Sequence, residues 1–324
     1  MPRVYDIITI GSATVDVFLK TASAGTELIT HLKHPDVCFP LGAKVLVENL
    51  VMDTGGGGTN TAVSFARLGF KTGYVGAVAD DANGHTILAA LRKEHIDFLG
   101  KAKKGNSGYS VIIVDLKQDR TILAYKGVND NLLPKDVPEL DTKWVYCSAM
   151  LGESWKTLVS AVSKARKRGV RVAFNPSLYL ARQGIRKLLP LVDGLDVLVL
   201  NKEEAQALLG SVREVPAMLK ELRKHVETPV ITDGPRGAFT TDGERVFAIH
   251  PKKIPVVDTT GAGDAFASAF VAGRMLGKDL KECLKMGQAQ AEGVLSAIGA
   301  KSKLLTRTEL HKQMKKSAHK VMAA

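Results

Sequence analysis

The chain has 324 residues, 45% of them hydrophobic and 24% charged, with a formal net charge of +12. That length suits one large α/β core with an appendage, and the composition is that of an ordinary globular protein. No apolar run approaches the ~20 residues of a membrane span. The N-terminus lacks the regions of a signal peptide, and Cys38, Cys147 and Cys283 are too few and too scattered for a disulfide framework or a metal knuckle. A cytoplasmic setting without membrane partners is therefore expected. The basic surplus is uneven. Lys301, Lys303, Arg307, Lys312, Lys315, Lys316 and Lys320 against Glu309 put 7 − 1 = +6 into residues 301–324. That segment reads as a basic C-terminal helix or tail with a solvated face, because no aromatic stacking residues accompany the charge and a nucleic-acid partner is not expected.

In chain order, residues 4–10 form an apolar strand ended by Gly11. Asp16 follows just past its carboxyl end, where open α/β sheets bind ligands and where a turn aspartate is the plain alternative. Residues 20–54 are irregular, with a strand-like piece at 44–51. Gly55-Gly56-Gly57-Gly58-Thr59-Asn60 then leads into a helix at 62–68. Four glycines let backbone approach a ligand, although their spacing is not a dinucleotide fingerprint. A strand at 72–78, a helix at 84–94 and an alternating hairpin at 110–115 and 121–125 come next. The segments at about 12–54 and 105–130 together read as a small β lid on one domain spanning the chain.

From residue 144 strands and helices alternate: strands 144–147, 170–174, 197–200, 229–232, 237–241 and 245–249, with helices at 153–168, 179–189, 202–209 and 215–225. Alternation of this kind predicts a three-layer, doubly wound, mostly parallel sheet. A last strand at 254–257 and helices after Gly261 and at 279–285 and 287–297 complete the pattern. The strand ends share one rim: Asn175-Pro176, Asn201-Lys202-Glu203-Glu204, Thr232-Asp233-Gly234-Pro235-Arg236-Gly237, and Asp258-Thr259-Thr260-Gly261-Ala262-Gly263-Asp264. The last is the most telling. A small-residue turn entering a helix leaves N–H donors free for an anion. Asp264 would repel that anion, so its chemical use there is to take a proton from a hydroxyl about to attack phosphorus. Capping of the helix is the plain alternative. Glu204 reads as a carboxylate holding Mg²⁺ through water, or as an acid favoured by its helix dipole. There is no Walker A sequence.

These motifs, in this order and spacing, resemble the ribokinase family, the PfkB carbohydrate kinases, over residues 4–305. The resemblance implies a ribokinase-like fold with a lid, and ATP-dependent transfer of the γ-phosphoryl group to a hydroxymethyl of a sugar, in the manner of ribokinases and fructokinases. A nucleoside acceptor, or a non-catalytic sugar- or nucleotide-binding relative, stands as the alternative. It further implies Asp264 as base and Gly261, Ala262 and Gly263 as an anion hole. Asn201, Thr232, Gly234, Gly237 and Gln288 would line the nucleotide, and Asp16, Gly56, Gly57, Asn60 and Asp264 the acceptor. Glu204 would serve Mg²⁺, while Asp258 and Thr260, with the loop near Gly299, resemble the site where some members hold K⁺. A homodimer through the lid is expected. Two positions depart from ribokinases: Gly57, where a lysine is common, and Ser148-Ala149-Met150, where a glutamate is common. For a nucleoside base, Phe18, Phe39 and Leu41 are the candidate apolar lid contacts, and Arg120 is a candidate for a phosphorylated sugar.

Overall fold

The first apolar run becomes the central strand. In the computed structural model, which describes residues 4–21, 27–31, 34–39, 41–114, 120–211 and 213–323, β1 (Tyr5–Ile10) is buried from Ile7 onward. The chain leaves the core for β2 (Thr14–Thr21), β3 (Glu27–His31), β4 (His34–Cys38) and β5 (Val47–Gly55). It returns through α1 (Gly57–Arg67), β6 (Thr72–Val75), β7 (Ala77–Ala79), α2 (Ala82–Lys93), β8 (Asp97–Phe98) and β9 (Lys101–Lys103). The hairpin strands are β10 (Gly108–Val114) and β11 (Arg120–Tyr125); residues 115–119 between them and the side chain of Arg120 lie outside the described residues. Regular alternation follows: β12 (Thr142–Ser148), α3 (Gly152–Lys167), β13 (Arg171–Asn175), α4 (Ser177–Ala181), α5 (Ile185–Val192), β14 (Leu195–Asn201), α6 (Lys202–Leu209), α7 (Val215–Leu222), β15 (Val226–Thr232), β16 (Ala238–Thr241) and β17 (Val246–Ile249). The chain then forms α8 (Ala262–Met275), α9 (Leu280–Val294), α10 (Arg307–Ser317) and β18 (Val321–Ala323).

Ten strands make the main sheet, in the order β18-β17-β16-β15-β14-β13-β12-β1-β6-β8. The pairs from β8 across to β15 are parallel and the last three antiparallel. Apolar side chains of α3, α5, α6 and α7 cover one face, and those of α1, α8, α9 and α10 the other. The expected three-layer α/β architecture is therefore observed. Strand order reverses between β1 and β12, and the crevice beyond their carboxyl ends is the usual ligand position of such sheets. The second sheet, β11-β10-β2-β5, leaves and rejoins the core at that crevice.

Several elements differ from the sequence expectation. Asp16 is not in a turn after β1 but inside β2, paired with Ser110 and Asp53 of its neighbours. The helix expected at 62 begins at Gly57, so two of the four glycines form its first turn. They are needed there: a Cβ on Gly58 would lie 2.7 Å from the Gly11 carbonyl carbon. The helix expected at 179–189 is two helices, broken at Gly184, which has φ 79°. The two late helices are one, α9, because Gly287 packs against the Phe266 ring and does not end it. Residues 254–257 form no strand: Pro255 has no N–H to give, and the free edge of β17 is taken by β18. The C-terminal segment forms the expected basic helix, α10, and Lys303, Arg307, Lys312, Lys315, Lys316 and Lys320 are exposed as expected, but other residues of the segment are anchored in the interior. Lys301, Leu310 and His319 are buried, and His319 Nε2 lies 2.9 Å from Glu292 Oε1 on α9.

Gly237, with φ 100°, would place a Cβ 1.9 Å from the Ile249 carbonyl oxygen, whereas Gly210, with φ 66°, has open space at that point. Gly210→Ala should cost about 1 kcal/mol of unfolding free energy, from backbone strain alone. Gly237→Ala should cost clearly more, about 3 kcal/mol, because strain and collision add. Urea titration of both variants checks the ordering.

Candidate active site

The crevice is built by two helix N-termini that meet. Gly56, with φ 96°, starts α1; a Cβ there would come within 2.5 Å of the Ser12 carbonyl oxygen. Thr9 Oγ1 donates to the Gly58 carbonyl at 3.0 Å and fixes this turn over the end of β1. Opposite stands α8, whose start at Gly261 has φ 78° and no side-chain cap. A Cβ on Gly261 would lie 2.5 Å from Ala300 Cβ, while Gly263 faces open space. First-turn N–H groups without a cap are available to an anion, and Gly263 leaves room for one.

Asp264 follows in the first turn of α8. Asn60 Nδ2 donates to its Oδ2 at 2.9 Å, linking α1 to α8 across 204 residues. Its Oδ1 lies 3.7 Å from where a Gly57 Cβ would stand, and Ser148 Oγ lies 2.9 Å from the same point. A lysine at position 57 would press its Cβ against the Ser148 side chain, while Asp264 lies at ordinary contact distance. Burial raises the Asp264 pKa to about 6; the Asn60 hydrogen bond opposes the rise, the Asp16 charge adds to it, and the Lys301 charge opposes it. Asp16 is itself raised by burial, and accepts from Thr14 Oγ1 at 2.8 Å. A Cβ on Gly55 would fall 1.8 Å from Asp16 Oδ2, so this glycine is what lets β5 pass over the carboxylate. Among the described residues, Asn60 Oδ1, Ser148 Oγ and Tyr146 OH are buried here without a hydrogen-bond partner. Such groups are rare in a finished interior and mark a place where a ligand completes the bonding.

The nucleotide-side residues lie along the same rim. Asn201 caps α6 by accepting from Glu204 N, and Glu204 Oε2 accepts from Asn201 N, both at 2.8 Å. Asn201 pairs in register with Thr232 at the end of β15. Beyond Thr232 a tight turn through Gly234 and Gly237 closes with Asp233 N donating to the Gly237 carbonyl at 2.7 Å. Gln288 is buried on α9, and its Nε2 donates to Glu292 Oε1 at 3.1 Å. Glu204 has its pKa raised to about 7, by burial first, with the Asp264 charge adding to it. Two carboxylates that feel each other and are both pushed upward belong to one crevice built to receive positive charge or protons.

Asp258 ties the anion turn to the segment after α9. Its Oδ1 accepts from Thr260 N and Oγ1 at 2.9 and 2.8 Å, and its Oδ2 from Gly299 N at 3.0 Å. Those three bonds take most of the roughly four lone-pair sites of a carboxylate. No group of three or more metal-ligating side chains occurs among the described residues. Phe18 is buried two positions beyond Asp16 on the same face of β2, whereas Phe39 and Leu41 are exposed. Tyr146 carried no signal in the sequence beyond lying on an apolar strand, and Ser148 stood out only as part of the stretch where ribokinases commonly have a glutamate. Lys301 was hidden by the basic residues that follow it.

The chain matches the family model described as pfkB family carbohydrate kinase over residues 9–307. The chain belongs to that family. It is 29% identical over 278 residues to a ribokinase of Haemophilus influenzae, covering 83% of this chain and 89% of the relative. With a protein of Archaeoglobus fulgidus described as an uncharacterized sugar kinase it shares 27% over 248 residues, 75% of this chain and 98% of the relative. Among solved structures, an adenosine kinase from Sinorhizobium meliloti superimposes with TM-score 0.81 at 25% identity over 95% and 99% of the two chains. A ribokinase from Arabidopsis thaliana in complex with ribose and ATP superimposes with TM-score 0.79 at 22% identity over 97% and 99%. The protein is a kinase of this family, acting on an alcohol group of a sugar or nucleoside.

A base at Asp264 would have to be ionised, so kcat/KM is expected to rise with pH along an acid limb near pH 6. Removing the Asn60 donor withdraws stabilisation from the charged form, so Asn60→Ala should move that limb upward. Asp16→Asn removes the neighbouring charge that adds to the rise and should move it downward. Initial rates across pH 5 to 8 (roughly the span these groups titrate over) check both directions.

Proposed function

We propose that the protein transfers the γ-phosphoryl group of ATP to a hydroxymethyl group of a sugar. The observation that carries this is Asp264, ionisable near neutrality, held by Asn60 at the uncapped start of α8. In this reading the acceptor lies between Asp16, Gly56, Gly57 and Asn60, with its primary hydroxyl on Asp264. The hydroxyl proton passes to the Asp264 carboxylate as the acceptor oxygen bonds to phosphorus. The bond from phosphorus to the β,γ-bridging oxygen breaks, and ADP leaves. N–H groups of the Gly261–Gly263 turn offset charge on the phosphoryl oxygens, and they are in place before reaction, which is where such donors are most effective. Thr232, Gly234 and Gly237 would bed the nucleotide, with Asn201 near its phosphates and Gln288 on the base side.

Glu204 fits a Mg²⁺ held through water. It is a nearly buried carboxylate without a basic partner among the described residues, and Mg²⁺ keeps much of its hydration, so a single carboxylate reaching it through water would serve. Mg²⁺ bound there would neutralise charge on the triphosphate. K⁺ has weaker support, since Asp258 and Thr260 already satisfy each other and Gly299. A nucleoside acceptor is favoured by one observation only, Phe18 beyond Asp16 on the same lid face. A reducing cytoplasmic setting suits three free cysteines.

The lid also suggests a dimer. Leu46, Val47, Leu50, Met52, Ile122 and Leu123 are exposed on its edge strands and their approach. Leu50 and Met52 of β5 and Leu123 of β11 share one face of this sheet, and exposed apolar side chains on one face commonly mark a subunit contact. Light scattering should give the mass of two chains, and Leu50→Glu with Leu123→Glu should halve it. A monomer in the unaltered protein would refute the pairing.

Asp264→Asn keeps shape and hydrogen bonding but removes the base. It should lower turnover by at least ~10³-fold while leaving ATP affinity within about threefold. Acceptor-dependent ADP release with a panel of pentoses, hexoses, their phosphates and nucleosides provides the assay. Unaltered turnover in Asp264→Asn would overturn the assignment and favour a binding role.

A further inference from the structure

Lys301 looks from its sequence neighbourhood like the first residue of a basic tail, yet it is buried. Its Nζ donates to Thr54 Oγ1 at 2.6 Å. Thr54 is the residue of β5 just before Gly55, so this bond sits under the turn that carries Gly56, Gly57 and Asn60 to the acceptor. On its other side Lys301 belongs to the segment that backs the anion turn. Gly299 N donates to Asp258 Oδ2, and Ala300 fills the space a Gly261 side chain would need. The backbone of this segment is clamped as well: Arg67 Nη1 donates to the Lys301 carbonyl at 2.9 Å and to the Leu304 carbonyl at 3.1 Å, while its Nε and Nη2 bond Glu94.

An interior ammonium is costly unless hydrogen-bonded and surrounded by opposite charge. The charges acting on Lys301 are Asp53 of β5, Asp16 of β2, Glu94 after α2 and the like charge of Arg67 on α1. The three carboxylates favour the ammonium and Arg67 opposes it. Next to the bond lies a cavity of about 390 Å³, lined among others by Asp53, Thr54, Arg67, Glu94 and Lys301. Packing leaves this junction between lid and core incompletely filled, and the polar tie spans it beside the β2–β5 ladder.

We propose that Lys301 is a positioning residue for phosphoryl transfer: its buried ammonium, bonded to Thr54, holds the acceptor-bearing turn in register with the anion turn of α8. The inference rests on the phosphotransfer reading above. It assigns to Lys301 the alignment of two halves of the site that reach it from opposite ends of the chain. Transfer demands an acceptor oxygen in line with phosphorus, and a shift of the order of 1 Å in one half can cost about a hundredfold.

The test uses Lys301→Met, which keeps length without charge, Thr54→Val, which keeps shape without the hydroxyl, and Thr54→Ser, which keeps the hydroxyl. With an acceptor used by the unaltered enzyme, Lys301→Met and Thr54→Val should each lower kcat about tenfold and raise acceptor KM. KM for ATP should stay within about twofold, Thr54→Ser should behave like the parent, and the double variant should be no worse than the worse single. Additive losses in the double variant, an equal rise in KM for ATP, or unchanged kinetics would overturn the proposal. Amide hydrogen exchange supplies a readout without turnover. Residues 53–58 and 299–301 should lose protection together in Lys301→Met, and unchanged protection would also overturn it. If the parent phosphorylates no acceptor, the phosphotransfer reading fails, while the exchange result still decides the tie.

Discussion

The hydrogen bond from Asn60 Nδ2 to Asp264 Oδ2 is the contact on which the site depends. It joins the first turn of α1 to the first turn of α8, two helices that begin more than two hundred residues apart in the chain. A carboxylate at a helix start normally serves as a cap, held by its own backbone. Asp264 caps nothing: α8 begins without a side-chain cap, and the carboxylate is directed across the crevice. Burial then pushes its pKa toward 6, and Asn60 limits the rise. The result is a carboxylate that is ionised at neutral pH and still able to accept a proton.

The glycines around this contact explain why the halves can approach so closely. Gly11 and Gly58 allow α1 to start directly over the end of β1, Gly55 clears Asp16, and Gly261 clears Ala300. Each is a place where a side chain would collide, not a place where flexibility is wanted. The doubly wound sheet sets the rest. Its order reverses at β1 and β12, so the crevice lies where neither neighbour's crossover covers the strand ends. Positioning of this sort suits a reaction that needs alignment and charge neutralisation more than covalent chemistry.

Much of this was legible in the sequence. Strand–helix alternation after residue 144 gave the sheet, and the 258–264 turn pointed to the uncapped helix start that carries Asp264. What escaped had physical causes. Asp16 follows β1 so closely that a turn was the simpler reading, yet the chain bends at once into a lid strand. Gly57 and Gly58 count against a helix by propensity, but close packing on Gly11 overrides that preference. Residues 254–257 are apolar, yet Pro255 and the β17–β18 pairing leave them no ladder. Lys301 was the largest miss. Charge counting cannot separate a buried ammonium from the exposed ones that follow it, because the distinction depends on Thr54, 247 residues earlier.

The central claim is that Asp264 directs the γ-phosphoryl group to an acceptor hydroxyl and not to water. Phosphorus NMR of a reaction with ATP and an acceptor chosen from the panel measures that partition directly. The account predicts ADP and a primary phosphomonoester of the acceptor in equal amounts, with inorganic phosphate a minor product. ADP accompanied by inorganic phosphate at the same rate with or without acceptor would contradict it.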